Sequence, residues 1–294
     1  MKNAIIVDGN NLMYKALKVF KLSYEDKSTS MIYGVPNIIR SLITLLSAKE
    51  VYVCFDGGRS EHRLELHPGY KDRDKGDDFD FKDFQRQKKI VIKVLVKLGV
   101  PVIMRSGMEA DDIIWLIARR LKKTRHVIIV STDKDFNQCL SKKVSIWNSF
   151  RNARITHLSL FKDYGYYPEE TVDWLVLDGD KSDCIPGVAG MGKVTIRKFL
   201  DKHSIKEYLI GNHEQFGRFE KKAVEEKYLF NRQLIDIRLF IRRNNITLKS
   251  LNISLKPEVK KIKVKSFIIW CSQYDLRSFQ KENFIEKFKR LNYE

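Results

Sequence analysis

The sequence predicts an α/β chain: a doubly wound parallel sheet followed by a mainly helical region that carries a helix-hairpin-helix. Three observations predict it. Short apolar runs of β-forming residues alternate with segments of helical period through the first half of the chain. Acids follow these runs, Asp8, Asp56 and Asp133 among them, and an open parallel sheet presents its chemistry at the carboxyl ends of its strands. From about Leu158 the strand signal fades, and Gly187-Val188-Ala189-Gly190-Met191-Gly192-Lys193 sets three glycines at short intervals between two helical stretches.

In chain order, Ala4-Ile5-Ile6-Val7 reads as a buried strand that delivers Asp8 and stops at Gly9-Asn10. Ile38, Ile39, Leu42, Leu45 and Leu46 then share one helical face, and Val51 to Phe55 forms a second strand that delivers Asp56. Between Arg59 and Lys89 the pattern breaks into residues too polar for a core, which predicts a charged insertion near the strand ends. Ile90 to Leu98 predicts a helix closed by Gly99, and Val100 to Met104 a third strand. Gly107-Met108-Glu109-Ala110-Asp111-Asp112 leads into a helix whose Ala110, Ile113, Ile114, Ile117 and Leu121 face inward. On a regular helix Glu109 and Asp112 share a face while Asp111 points about 200° from Glu109. Either Glu109 lies just outside the regular turn, or the acids divide between two ions. Val127 to Val130 is the fourth strand and runs into Ser131-Thr132-Asp133-Lys134-Asp135. Thr171 to Leu177 and Val194 to Leu200 are the later helices, with Gly179-Asp180-Lys181-Ser182-Asp183 after the first of them.

Across 294 residues, 55 Lys and Arg outweigh 37 Asp and Glu, giving a formal charge of +18 that points to a polyanionic partner. Beyond residue 191 basic residues outnumber acidic ones by roughly two to one. Against that background three carboxylates in four residues repel one another, and folding alone does not ask for them. A helix start would favour each by a few tenths of a kcal/mol, roughly. A divalent cation explains the group at 109–112 together with Asp8, Asp56, Asp133, Asp135, Asp180 and Asp183. The four cysteines form no C-x-x-C pair and predict reduced thiols. The first strand begins within a few residues of Met1, leaving no room for a signal peptide, and no apolar run approaches the roughly 20 residues of a membrane span. The expectation is a soluble protein of the cytoplasm, with no membrane contact.

Two decoys fail on single residues. Gly187 to Lys193 matches seven positions of a nucleotide-binding loop, but Val194 stands where Ser or Thr is needed and no strand is predicted to run into Gly187. A hairpin whose backbone N–H groups and Lys193 grip a DNA phosphate fits better. A haloacid-dehalogenase-like, Mg²⁺-dependent phosphatase also uses a strand-end Asp. That family needs an acid where Asn10 stands and a longer spacing than Asp180 to Asp183 provides.

With these motifs placed, the chain resembles the flap endonuclease and 5′-to-3′ exonuclease family in its bacterial and phage form. The matching segments run in order from Ile6-Val7-Asp8-Gly9 to about His203. They are Phe55-Asp56, Pro68-Gly69-Tyr70-Lys71, the 107–112 stretch, Ser131 to Phe136, and Gly179-Asp180 through Ile185-Pro186-Gly187-Val188. The resemblance implies a PIN-like nuclease domain over 1–160 with an arch insertion at about 71–89. It also implies a helical DNA-binding region over 161–294, with the helix-hairpin-helix at about 179–203. Asp8, Asp56, Glu109 and Asp111 are implied to hold one Mg²⁺ or Mn²⁺ with Asp112 close by, and Asp111, Asp133, Asp135, Asp180 and Asp183 a second. Lys71 is implied to offset phosphate charge, Tyr70 to stack on a terminal base, and Arg63 and Arg73 to touch substrate. Gly190, Gly192 and Lys193 are implied to hold the duplex, with K⁺ at the hairpin. The implied activity is structure-specific hydrolysis of DNA at 5′-flap or branched junctions, with 5′-3′ exonuclease action, in replication or repair. Implied partners are DNA, RNA-DNA primer ends and a replication polymerase, the enzyme itself being a monomer in a bacterial or phage-infected cell. A structure-specific DNA-binding protein without catalysis is the alternative, and the Mg²⁺-dependent phosphatase a weaker one. Three positions depart from the family pattern: Cys184 stands where Asn is usual, and His62 where an apolar residue precedes Arg63. The basic residue three positions after Lys71 is missing, with Arg73 one early and Lys75 one late.

Overall fold

The computed structural model describes residues 2–72, 79–211, 215–256 and 262–293. Strand β1 (Asn3–Asp8) runs into helix α1 (Gly9–Val19), and a two-residue hairpin of β2 (Ser23–Tyr24) and β3 (Lys27–Ser28) leads to α2 (Ser30–Leu45) and β4 (Ala48–Cys54). The short α3 (Glu61–Leu66) precedes α4 (Phe81–Lys97), β5 (Val102–Ile103), α5 (Ala110–Leu121) and β6 (His126–Val130). Strands β7 (Val144–Asn148) and β8 (Ala153–Ile155) complete a six-stranded sheet of order β5-β4-β1-β6-β7-β8, parallel except for β8. The expected doubly wound parallel sheet is therefore present.

Period two explains the unbroken apolar runs. Ile5 pairs with Val51 on one side and Ile128 on the other. These residues, with Val7, Val53 and Val130, enter the core on one face, while Ala4, Ile6, Tyr52, Cys54, Val127 and Ile129 enter the core on the opposite face. Both faces are covered, so neither set tolerates polarity.

Three local readings change. The expected strand at 100–104 narrows to Val102–Ile103, preceded by Pro101, which has no N–H to give to a ladder. The expected helix at 90–98 begins nine residues earlier, at Phe81, where the Asp80 carboxylate caps it by accepting from Asp83 N at 2.8 Å. The segment expected to be too polar for a core buries Arg63, Tyr70, Phe84, Gln87 and Lys88, because each polar member has a partner. Gln87 Oε1, for example, accepts from Met31 N at 2.9 Å and Ile32 N at 3.4 Å, satisfying N–H groups at the start of α2. Of the expected arch at 71–89, residues 73–78, including Arg73 and Lys75, lie outside the described residues, and 81–89 belongs to α4.

Beyond residue 160 the chain is mainly helical: α6 (Leu160–Tyr164), α7 (Thr171–Asp178), strands β9 (Gly179–Asp180) and β10 (Ile185–Pro186), α8 (Lys193–Lys202) and α9 (Ile205–Ile210). A hairpin of β11 (Gln215–Phe216) and β12 (Phe219–Glu220) precedes α10 (Lys221–Ile235), α11 (Ile237–Arg243), α12 (Val264–Ser272) and α13 (Glu282–Lys289). A strand thus does reach Gly187, but it is the antiparallel partner of β9, and the hairpin reading stands. These helices pack on both sides of the sheet. Trp174, Phe199, Tyr228 and Phe240 join the core with α5, whereas Phe267, Phe279, Phe284 and Phe288 join the one with α1, α2 and α4. The chain end is tied down by Tyr293, whose hydroxyl donates to Val51 O at 2.9 Å, and by Asn292 N, which donates to Lys49 O at 2.7 Å.

Candidate active site

The three central strands set the site, because β1, β4 and β6 are parallel neighbours and an acid stands at or just beyond the end of each. Asp8 caps α1 by accepting from Asn11 N at 3.0 Å and also accepts from the Ser131 hydroxyl at 3.0 Å. Asp56 accepts from Ala110 N at 2.8 Å and from the Asn10 side-chain amide, which joins the ends of β1 and β4. Close approach is required here: a Cβ on Gly57 would sit 1.8 Å from Arg105 O. Asp133 follows β6 and accepts from Asp135 N at 2.9 Å. Asp180 closes β9, accepting from Ser182 N at 2.7 Å, and lies 3.6 Å from Lys134 Nζ.

Glu109 is the N-cap residue of α5, with φ −83° and ψ 151°, and lies outside the regular turn, which answers the question left open by the helical spacing. Glu109 and Asp112 do share a face, and Arg63 occupies it. The guanidinium reaches Glu109 at 2.8 Å and grips Asp112 through two bonds of 2.8 and 3.0 Å. It also lies 4.1 Å over the Phe240 ring and is only 2 % exposed. Two expectations are corrected here: Arg63 is too buried to touch substrate, and Asp112 is neutralised by Arg63 and is not left for a metal. A third correction concerns Tyr70, expected to stack on a base. It is buried, with its hydroxyl donating to Glu109 at 2.9 Å and Asp183 at 3.3 Å.

Lys71, by contrast, stands among the acids. Its ammonium lies 3.1 Å from Glu109, 3.6 Å from Asp183 and 3.9 Å from Asp111, and its N–H donates to Asp183 O at 3.0 Å. Burial alone would lower its pKa, but these carboxylates outweigh burial and hold it well above the ordinary lysine value. Glu109 responds in kind: burial pushes its pKa up, Lys71 and Arg63 pull harder, and the net direction is down.

At Asp8, Asp111, Asp135 and Asp183 burial outweighs whatever compensation there is. Burial first, then Asp56 and Asp133, push Asp8 up to about 7 despite its bonds to Asn11 and Ser131. Burial raises Asp111 well above the ordinary range, with Asp133, Asp8 and Asp56 adding to it. Asp135 is raised for the same reasons by Asp133, Asp180 and Asp183, and burial takes Asp183 up to about 6. The Asp135 Oδ1 atom is buried without a hydrogen-bond partner among the described residues. Among those residues no three carboxylates close around one point. Several of them are held by donors of their own, Asp8 by Asn11 and Ser131, Asp56 by Ala110 and Asp180 by Ser182. An all-oxygen set, short of positive charge and holding an unused buried oxygen, fits hard divalent cations.

Sequence reasoning missed Asn10, Ser131, Lys134 and Lys88, whose ammonium donates to Asp56 O at 2.9 Å. The first three were adjacent to acids already singled out, whereas Lys88 gave no local signal. At the hairpin, Lys193 and Gly192 are exposed at the start of α8, and Gly190 takes φ +74°. Its carbonyls are engaged, Val188 O by Met191 N and Gly190 O by Arg218, so the K⁺ expectation draws no support from this geometry.

The family model "5′-3′ exonuclease, N-terminal resolvase-like domain" matches residues 3–165. A 5′-3′ exonuclease of Buchnera aphidicola is 30% identical over 266 residues, covering 84% of this chain and 92% of that protein. Among solved structures, a T5 5′-exonuclease with divalent metal ions (zinc) bound superposes with a TM-score of 0.73 at 23% identity, covering 85% of this chain and 96% of the other. A bacteriophage T5 flap endonuclease in a pseudo-enzyme-product complex with DNA and metal ions gives 0.69 at 22% identity, covering 98% and 100%. At these identities the two structures establish likeness of fold, that of a resolvase-like or PIN domain. The match of the family model to more than half of the chain, and of the relative to most of its length, places this protein in the 5′-3′ exonuclease family.

Proposed function

We propose that this chain is a structure-specific 5′ nuclease that hydrolyses DNA phosphodiester bonds at 5′-flap junctions and shortens duplex 5′ ends, using two divalent cations. The observation that carries the reading is the gathering of Asp8, Asp56, Asp111, Asp133, Asp135 and Asp180 at strand ends and the β9 hairpin. There burial raises most of their pKa values and one carboxylate oxygen has no partner. Asp8, Asp56 and Asp111, with Glu109, would hold one ion, and Asp133, Asp135, Asp180 and Asp183 the other, Mg²⁺ suiting such donors. The chemistry supplied by two such ions when bound is charge neutralisation at the phosphate, activation of water and support of the leaving oxygen.

The chain's own residues do the rest. Lys71 keeps its proton and adds positive charge where phosphate charge develops. Lys134 steadies Asp180, and Tyr70 fixes Glu109 against Asp183. Lys193 with the exposed N-terminus of α8 would receive a duplex phosphate, and the helix-hairpin-helix at about 179–203 would hold the duplex. We place the enzyme, as a monomer, in the cytoplasm of a bacterial or phage-infected cell, acting on flaps and primer ends beside a replication polymerase. No helix among the described residues is long and apolar enough to cross a membrane.

The test is a 5′-flap duplex incubated with the protein in Mg²⁺ and in EDTA. Product should form in Mg²⁺ alone. Asp133→Asn should lower cleavage by about two orders of magnitude or more, the scale of losing one transition-state electrostatic partner, while flap binding stays measurable. Flap binding with no Mg²⁺-dependent product would identify a binding protein instead, and cleavage retained by Asp133→Asn would refute the metal assignment.

A further inference from the structure

A groove of about 1070 Å³ lies away from the acids, between the carboxyl half of α5, the turn at 138–140, α9, α10 and α11. Because α5 starts at the acid cluster, Arg119 lies about 10 Å further along the helix axis than Asp112. The groove walls include Leu140, Val144 and Val172, and at its margin Leu229 is 54% and Ile210 74% exposed. Arg119, Lys122, Lys206, Arg238 and Arg242 also line it, and among the described residues none has a carboxylate within salt-bridge distance. The groove's own acids are mostly engaged: Asp236 binds Arg232 at 3.1 Å and caps α11, and Asp173 accepts from Tyr228 at 3.0 Å. What it offers a partner is therefore unpaired positive charge around apolar walls.

We infer that this groove docks an acidic segment of a partner protein that carries large apolar side chains. Two arguments favour a peptide over nucleic acid. Phosphates would satisfy the cations but leave Leu229 and Ile210 in water, whereas an amphipathic acidic segment satisfies both. A concavity of this volume also suits inserted side chains, while a duplex about 20 Å across meets protein on open surfaces. Arg119, stacked 5.1 Å over the Trp115 ring, presents a fixed guanidinium to carboxylates.

The probe is a fluorescein-labelled twelve-residue peptide of Asp and Glu with Leu and Phe at every third or fourth position. A control peptide has Ser at those apolar positions, and a single-stranded oligonucleotide of equal charge competes. Fluorescence anisotropy of the full chain should show saturable binding of the apolar-bearing peptide. Arg238→Glu with Arg242→Glu should weaken it at least about tenfold, as should Leu229→Ser. Flap cleavage by the same variants should match the parent, showing that they fold and that the groove is separate from the nuclease site. Absence of binding, equal binding of the Ser control, or full displacement by the oligonucleotide would each overturn the proposal.

Discussion

At Arg63 a guanidinium is buried against Glu109 and Asp112 with its Nε donating to Leu234 O at 3.2 Å. Removing one partner of a buried ion group leaves uncompensated charge, so Asp112 would lose its cation and Glu109 would keep Lys71 alone. Arg63→Met should therefore cost about 3–5 kcal/mol of unfolding free energy, measured by urea denaturation. Arg63→Lys keeps the charge but loses the fork that grips Asp112, and should fall between the two. If Arg63 contacted substrate instead, the Met variant would keep full stability and lose only affinity for DNA. Cys184 makes a related point about conformation. It sits at φ +58°, in the left-handed region where Asn is far better tolerated than most residues, which explains why Asn is usual at this position of the family pattern. Cys184 contributes its carbonyl to His67 Nε2 at 2.9 Å, and among the described residues its thiol makes no hydrogen bond to a site acid.

The hairpin of β9 and β10 carries Asp180 and Asp183 into the site, and it depends on two backbones that nearly touch. A Cβ on Gly187 would lie 2.4 Å from both Leu177 O and Asp178 O, and one on Gly179 would lie 2.3 Å from Gly187 N. Backbone atoms cannot yield as a side-chain tip can, so Gly187→Ala must push β10 away from α7. We expect a loss of about 1–3 kcal/mol, the usual scale of overpacking, together with a higher Mg²⁺ requirement for cleavage. A variant with unchanged stability and unchanged Mg²⁺ titration would show that the hairpin does not position these acids. At this scale the sequence was legible wherever one period governed a whole element. The runs at 4–7, 51–55 and 127–130 became three central strands, and the acids after them were readable because strand ends in a parallel sheet converge. α4 was misjudged because Phe84, Gln87 and Lys88 are buried by tertiary partners, at Gln87 the N–H groups of Met31 and Ile32, that no local period reveals. Strands β7 and β8 were missed because they are short and mix Ser145 and Arg154 with their apolar residues. The roles of Arg63 and Tyr70 were misread for the same reason as α4: their partners lie about forty to fifty positions away, at Glu109 and Asp112.

Over the whole molecule a charge of +18 surrounds a site that is short of positive charge, and this contrast makes stability depend on pH in a definite direction. Asp8 is raised from 3.8 to about 7 and Asp183 from 3.8 to about 6, in both cases by burial first and neighbouring acids second. The folded chain thus binds these protons more tightly than the unfolded chain does. Between roughly pH 4 and 7 the native state holds more protons than the unfolded one, so stability falls as pH rises through this window. Glu109 and Glu170, whose pKa values are lowered, have the opposite sign, but their contribution is lost only as pH drops below the ordinary carboxylate range. From pH 5 to pH 8 the raised group of acids therefore dominates. In EDTA the melting temperature should decline over that interval, and Mg²⁺ should restore it most at pH 8, where the carboxylates are ionised and a ligand of the native state adds RT ln(1 + [L]/Kd). Differential scanning calorimetry at the two pH values, with and without Mg²⁺, reads both effects. A melting temperature in EDTA that rises toward pH 8, or a Mg²⁺ increment larger at pH 5, would mean that the carboxylates are not held together against their own charge.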